Sequence, residues 1–129
     1  MATFNRFEDI LAWQKARVLC KLIKGYTMKG LFSSDFKLIS QITGSSGSAM
    51  DNIAEGFERG GNKEFIQFLY ISKGSAGETR SQLYRALDNG YITEEEFQKA
   101  YDLAEEISKL IAGLIKHLKD SDIKGDKYK

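Results

Sequence analysis

Apolar residues recur three and four positions apart in four stretches of the chain, a spacing that predicts four amphipathic helices. In the first, from about Glu8 to Tyr26, one stripe is made by Ile10, Trp13, Ala16, Leu19 with Cys20, and Ile23. Gly25 and Gly30 are read as its end. The second starts after Ser33 and Ser34, a cap pair followed by Asp35 at the electropositive helix start, and carries Leu38, Ile39, Ile42, Ala49 and Ile53. The third carries Phe65, Phe68 with Leu69, Ser72, Ala76, Leu83, and Ala86 with Leu87, ending at Asn89 and Gly90. The fourth opens on a capping box, Thr93 with Glu96, and continues as a coiled-coil-like seam through Ala100, Ala104, Ile107, Ile111, Leu114 and Leu118 to Asp120. The polar residues that follow, SDIKGDKYK, are read as a frayed tail.

Connections this short favour antiparallel neighbours, so the expected fold is all-α, an up-down-up-down antiparallel four-helix bundle in a single domain spanning residues 1–129. A chain of 129 residues buries roughly two thirds of the surface its unfolded form exposes, enough for one core. Proline is absent, which permits long uninterrupted helices. Inside the second and third helices lie two groups of small residues, Gly44, Gly47 and Ser48, then Gly74, Ser75, Ala76 and Gly77. Glycine inside a helix costs about 1 kcal/mol relative to alanine, and close helix approach is the expected compensation. Gly44, Gly47, Gly74 and Gly77 are therefore expected at a helix–helix contact. The turn between these helices is read at Gly56, Gly60 and Gly61, with Asn62 capping the third helix. A second apolar line on the fourth helix, Leu103, Leu110, Leu114 and Ile115, joins Phe32, Phe36, Phe57, Tyr70, Tyr84 and Tyr101 outside the best stripes, which leads us to expect self-association.

Asn52-Ile53-Ala54-Glu55-Gly56, then Arg59, Lys63-Glu64-Phe65, Phe68-Leu69, Gly74-Ser75 and Glu78 together resemble the signature of four-helix-bundle proteins encoded within intervening sequences of bacterial 23S rRNA genes. Phe7, Leu11, Trp13-Gln14-Lys15-Ala16 and Leu19 resemble the opening helix of the same family, so the likeness extends over about residues 4 to 118. The bundle is also similar to the accessory protein of diversity-generating retroelements, a resemblance that implies a ring-shaped homopentamer and nucleic-acid contact. For most of the family the resemblance implies no established activity.

Enzymatic chemistry finds little support in the residues. A carboxylate-bridged di-iron bundle needs a Glu-x-x-His pair on each of two helices, and this chain has one histidine, His117, preceded three positions earlier by Leu114. His117 is read as a solvent-facing residue near the end of the last helix, where a cation suits the dipole. GFERGG, residues 56–61, lacks the Gly-Lys-Ser/Thr ending of a phosphate loop. The single Cys20 cannot form an internal disulfide and is read as a small core residue. No catalytic residue, metal or cofactor is assigned. Without a run of eighteen apolar residues or a leader pattern, a cytoplasmic chain with no membrane partner is expected.

Net charge is +1, a poor general attraction for nucleic acid. Its distribution is uneven: residues 1–43 carry seven Lys/Arg against three Asp/Glu. Arg17, Lys21 and Lys24 fall four and three apart and make one basic stripe on the first helix. Arg59 and Lys63, near the hairpin turn, are added as candidates for phosphate contact. Asn52, Glu55 and Arg59 share a helix face and are read as a polar network that fixes helix register or, alternatively, as a ligand surface. Two function classes stay open. One is a non-enzymatic oligomeric binding module touching RNA or DNA through the first helix. The other is a protein–protein scaffold with no nucleic-acid role.

Overall fold

A computed structural model describes residues 4–127, with the side chains of residues 4–121. A 3-10 turn at Phe7–Asp9 precedes α1, Leu11–Thr27; a second 3-10 segment, Gly30–Ser34, leads into α2, Phe36–Glu58. Then come α3, Asn62–Asp88, and α4, Glu94–Lys127. No strand occurs among the described residues.

Contacts between neighbouring helices run in opposite sequence order. On α2 and α3, Ser45 meets Thr79, Ser48 meets Ser75 and the Ala49 carbonyl meets Ser72. On α3 and α4, Tyr84 meets Phe97, Arg80 meets Tyr101 and Tyr70 meets Lys119. On α1 and α4, Tyr26 meets Glu96 and Lys15 meets Glu106. These three pairs are antiparallel, which makes α1 antiparallel to α2 as well, and each helix packs chiefly on two neighbours. The result is the expected four-helix bundle.

The apolar stripes form its axis. Ala16, Leu19 and Ile23 of α1, Ile42, Ala49 and Ile53 of α2, Leu69, Ala76 and Leu83 of α3, and Ala104, Ile107 and Ile111 of α4 are all buried. Ile115 joins them, while Leu103, Leu110 and Leu114 are half-buried against this core, so most of the second apolar line widens it. The Gly30–Ser34 segment brings in Phe32, which stacks on Tyr91 with ring centroids 5.1 Å apart. Phe57 and Tyr101 are half-buried, whereas Tyr70 and Tyr84 stay about half exposed and Phe36 is 78% exposed.

Helix ends follow local chemistry. Asp35, and not the expected Ser33–Ser34 pair, which lies in the 3-10 segment, caps α2, its Oδ1 accepting from the Leu38 N–H at 3.0 Å, and its other carboxylate oxygen accepts from the Tyr91 hydroxyl at 2.8 Å. These bonds to the charged form hold the Asp35 carboxyl below the usual range. At α4 the reciprocal capping box closes as expected, Glu96 N–H to Thr93 Oγ1 at 3.0 Å and Thr93 N–H to Glu96 Oε1 at 2.9 Å. Gly60 at φ +87° and Gly90 at φ +75° occupy the left-handed region that glycine enters without a Cβ penalty, and each ends a helix.

Several expectations are corrected. Gly25 lies inside α1, which runs on to Thr27, because one glycine's propensity cost is small beside the burial of Tyr26 and Thr27. Gly56 lies inside α2, so the turn is confined to Gly60 and Gly61. The cap position of α3 falls on Gly61, and Asn62 is the first helical residue. At the other end α4 continues beyond Asp120 to Lys127; residues 128 and 129 of the expected tail lie outside the described residues.

The close helix–helix contact is where the sequence placed it, between α2 and α3, but not on the expected glycines. A Cβ added at Gly44, Gly47 or Gly74 would meet nothing within 4 Å, and one at Gly77 would meet only the flexible Arg80 guanidinium at 3.4 Å. Gly56 is the tight position: its Cβ would lie 2.7 Å from the Phe68 Cβ. Elsewhere the seam is held by hydroxyls. Ser45 Oγ donates to Gln82 Oε1 and, its one proton so used, accepts from Thr79 Oγ1 at 2.7 Å. Ser72 donates to the Ala49 carbonyl across the interface, a bond that requires the two backbones to approach closely.

Candidate nucleic-acid interface

Arg17, Lys21 and Lys24 all lie exposed on the outer side of α1, because the stripe that buries Ala16, Leu19 and Ile23 turns the opposite face to water. Arg17 rests against the Trp13 ring, 6.0 Å from its centroid. None of the three makes an ion pair among the described residues, unlike Lys15, paired with Glu106 at 3.5 Å, and Lys29, paired with Glu96 at 3.2 Å. The basic stripe therefore keeps its charge uncompensated by direct contact. Its three residues span about 10 Å of helix at 1.5 Å per residue.

Arg59 and Lys63 do not extend that stripe. They sit at the α2–α3 turn, while Lys24 lies near the opposite end of the bundle, since α1 runs antiparallel to α2. Arg59 is also engaged. It pairs with Glu55 at 2.9 Å and lies over the Phe68 ring at 5.0 Å. Lys63 is exposed.

Of the expected network, Glu55 and Arg59 are joined but Asn52 turns elsewhere. Its Nδ2 donates to the Ser48 carbonyl at 2.8 Å and to Ser48 Oγ at 2.9 Å, and Ser48 is bonded to Ser75 on α3. Asn52 thus belongs to the hydroxyl seam. Its amide donors find the serine four positions back on the helix, where a carboxylate three positions ahead competes with water.

His117 is not solvent-facing: its Nε2 is buried with no hydrogen-bond partner among the described residues. Cys20 is half-buried, and that burial pushes its thiol pKa up, so it stays a thiol at neutral pH. No group of three or more His, Cys, Asp or Glu side chains among the described residues is placed to hold a metal ion. No described helix is long and apolar enough to cross a membrane.

The sequence reading missed cations that two helices bring together. Lys119 of α4 donates to the Tyr70 hydroxyl of α3 at 2.7 Å, its ammonium 5.2 Å from the ring centroid. Arg80 likewise lies 5.9 Å from the Tyr101 centroid. A stripe counted along one helix cannot register a pair that forms between two, so the only available signal was the surplus of tyrosines outside the core stripes.

These arrangements define an all-α four-helix bundle whose distinctive chemistry lies on its outer helix faces. The chain belongs to the 23S rRNA-intervening sequence protein family, whose model matches residues 8–113. Among solved structures, it is similar to a protein of unknown function from the S23 ribosomal protein family of Bacteroides thetaiotaomicron VPI-5482. The two are 26% identical with a TM-score of 0.75, over 82% of this chain and 96% of that one. Comparison with curated proteins returns no match. Neither the family nor the solved relative carries an enzymatic assignment.

Proposed function

We propose that the protein is a non-enzymatic, self-associating binding module that contacts RNA or DNA through the basic face of α1. The observation that carries this reading is the exposed stripe of Arg17, Lys21 and Lys24, three cations on one face with no ion-pair partner among the described residues. Such a stripe binds by releasing counterions from phosphate, which requires no catalytic group and reads no particular sequence. Self-association multiplies it, because every copy repeats the patch and a second contact on one strand becomes intramolecular. Leu31 and Phe36, 72% and 78% exposed at one end of the bundle, support an apolar contact with another copy.

Binding to RNA and DNA across a salt series tests the reading. Affinity should fall steeply as salt rises, and Arg17→Glu with Lys21→Glu and Lys24→Glu should abolish duplex binding while helicity and oligomer size stay unchanged, since exposed charges add little to folding. Duplex binding that survives the triple reversal removes α1 as the surface. No salt-sensitive binding by the native chain leaves the protein–protein scaffold as the better description.

A further inference from the structure

Along the α3–α4 side of the bundle, cations and aromatic rings alternate. On α3, Lys63, Tyr70 and Tyr84 are spaced by seven and fourteen residues, so they return to nearly the same face, with Lys73 and Arg80 one turn beyond Tyr70 and one before Tyr84. On α4, Lys116 stands one turn from Lys119, whose bond to Tyr70 shows which turns of the two helices lie side by side. Tyr70 and Tyr84 are each 49% exposed, large rings that the core does not need covered. Neither ring swings freely: Tyr70 is held by Lys119, and Tyr84 packs on Phe97 at 4.8 Å and on Tyr101 at 5.7 Å. Arg80 over Tyr101 completes that cluster. The rings stand about 21 Å apart along the helix, a span of several nucleotides in an extended strand.

Two of the nearby acids are engaged, while Glu78, Asp88 and Asp120 stand exposed on the same two helices. Asp102 accepts from the Gln98 amide at 2.7 Å, and Glu105 pairs with Lys109 at 3.7 Å. Lys63, Lys73 and Lys116 have no ion pair among the described residues. Gly77, between the two tyrosines, presents no side chain, and the Arg80 guanidinium lies 3.4 Å from where its Cβ would stand. Fixed aromatic faces flanked by cations suit unpaired bases that can stack, with phosphates meeting ammonium and guanidinium groups. A duplex hides its base faces and cannot use them.

We infer that the α3–α4 face is a second nucleic-acid contact surface, one that takes single strands by stacking bases on Tyr70 and Tyr84 and holding phosphates on Lys63, Lys73, Arg80, Lys116 and Lys119. The inference rests on the proposed function only in taking nucleic acid as the ligand; it uses different residues from α1 and adds a preference for unpaired strands.

The test compares two probes, a uridine- and cytidine-rich RNA with no pairing of its own and the same strand in a full duplex. The native chain should bind the single strand more tightly. Tyr70→Leu and Tyr84→Leu should each weaken single-strand binding at least about five-fold and leave duplex binding unchanged, while Tyr70→Phe and Tyr84→Phe, which keep the ring, should restore it. Helicity and melting temperature of each variant separate a lost platform from a lost fold, and the phenylalanine variants keep the test valid if Tyr84→Leu unfolds. Equal affinity for the two probes, or leucine variants that are folded and bind like the native chain, would overturn this inference alone, provided the α1 reversal still abolishes duplex binding. Failure of the native chain to bind either probe would overturn the proposed function, and this inference with it.

Discussion

Adding one methyl group to Gly56 and the same group to Gly74 separates packing from helix propensity. Both residues are helical, and both substitutions gain about 1 kcal/mol of propensity in going from glycine to alanine. That contribution cancels in the comparison. At Gly56 the new Cβ would lie 2.7 Å from the Phe68 Cβ, 3.1 Å from Phe65 Cδ1 and 3.4 Å from the Phe65 carbonyl oxygen. The first of these atoms is bonded to the α3 backbone and cannot turn aside, so α2 and α3 must part or the side chains must leave their rotamers. Overpacking of this kind costs about 1–3 kcal/mol. At Gly74 the methyl meets nothing within 4 Å. Gly56→Ala should therefore be less stable than Gly74→Ala by about 1–3 kcal/mol, and Gly74→Ala more stable than the native chain by up to about 1 kcal/mol. Urea unfolding followed by circular dichroism reads this as midpoints about 1 M apart. Measurement at several protein concentrations removes any contribution of self-association to the comparison. If Gly56→Ala matches Gly74→Ala, the close approach of α2 and α3 at Gly56 is refuted.

The hydroxyl seam makes a second prediction: Ser45→Ala should cost about 1–3 kcal/mol, because it deprives the buried Gln82 carbonyl of its donor, and an unchanged urea midpoint would refute that role. A third concerns acid. The folded state holds the Asp35 carboxyl low chiefly through the Leu38 N–H and then the Tyr91 hydroxyl, and that of Glu96 chiefly through the Thr93 N–H and then Lys29. Folded values below the unfolded ones mean stability that is complete above about pH 5 and lost as pH falls through the folded values, so melting temperature should drop on the acid side, and less so in Asp35→Asn with Glu96→Gln. Identical acid profiles for native and double variant would refute this linkage.

Elements whose cause is local were legible in the sequence. The reciprocal cap of Thr93 and Glu96 and the Gly90 stop each depend on residues within one turn, and each forms as the spacing says. The core stripes were legible for the same reason, since burial repeats with the helix period. Gly56 was misread because a glycine near a turn signal looks like part of the turn, and only the position of Phe68 on α3 shows that close packing requires it. The open glycines were misread for the converse reason. Their small size was visible, but whether a neighbour stands opposite depends on how α2 is rotated against α3, and Ser45, Ser72, Thr79 and Gln82 set that rotation through their hydrogen bonds.

The same distinction decides how the candidate surfaces could be found. The α1 stripe lies on one helix, so its three cations and their shared face follow from spacing alone, and the fold adds only that they are exposed and lack ion pairs. The α3–α4 surface has no such linear form. Tyr70 and Lys119 are 49 residues apart in sequence, and neither stands out by itself: one is a tyrosine off the core stripe, the other a lysine on a mixed-charge helix. Antiparallel packing makes them neighbours, and the exposed ring then acquires a cation beside it. A bundle with net charge +1 can thus carry local clusters of cations, because α1 sets three along one helix and α3 and α4 bring others together across two, while Glu55 and Glu105 are held in pairs with Arg59 and Lys109. Net charge averages over these faces, whereas phosphate contact is decided within the roughly 10 Å over which salt leaves a charge unscreened.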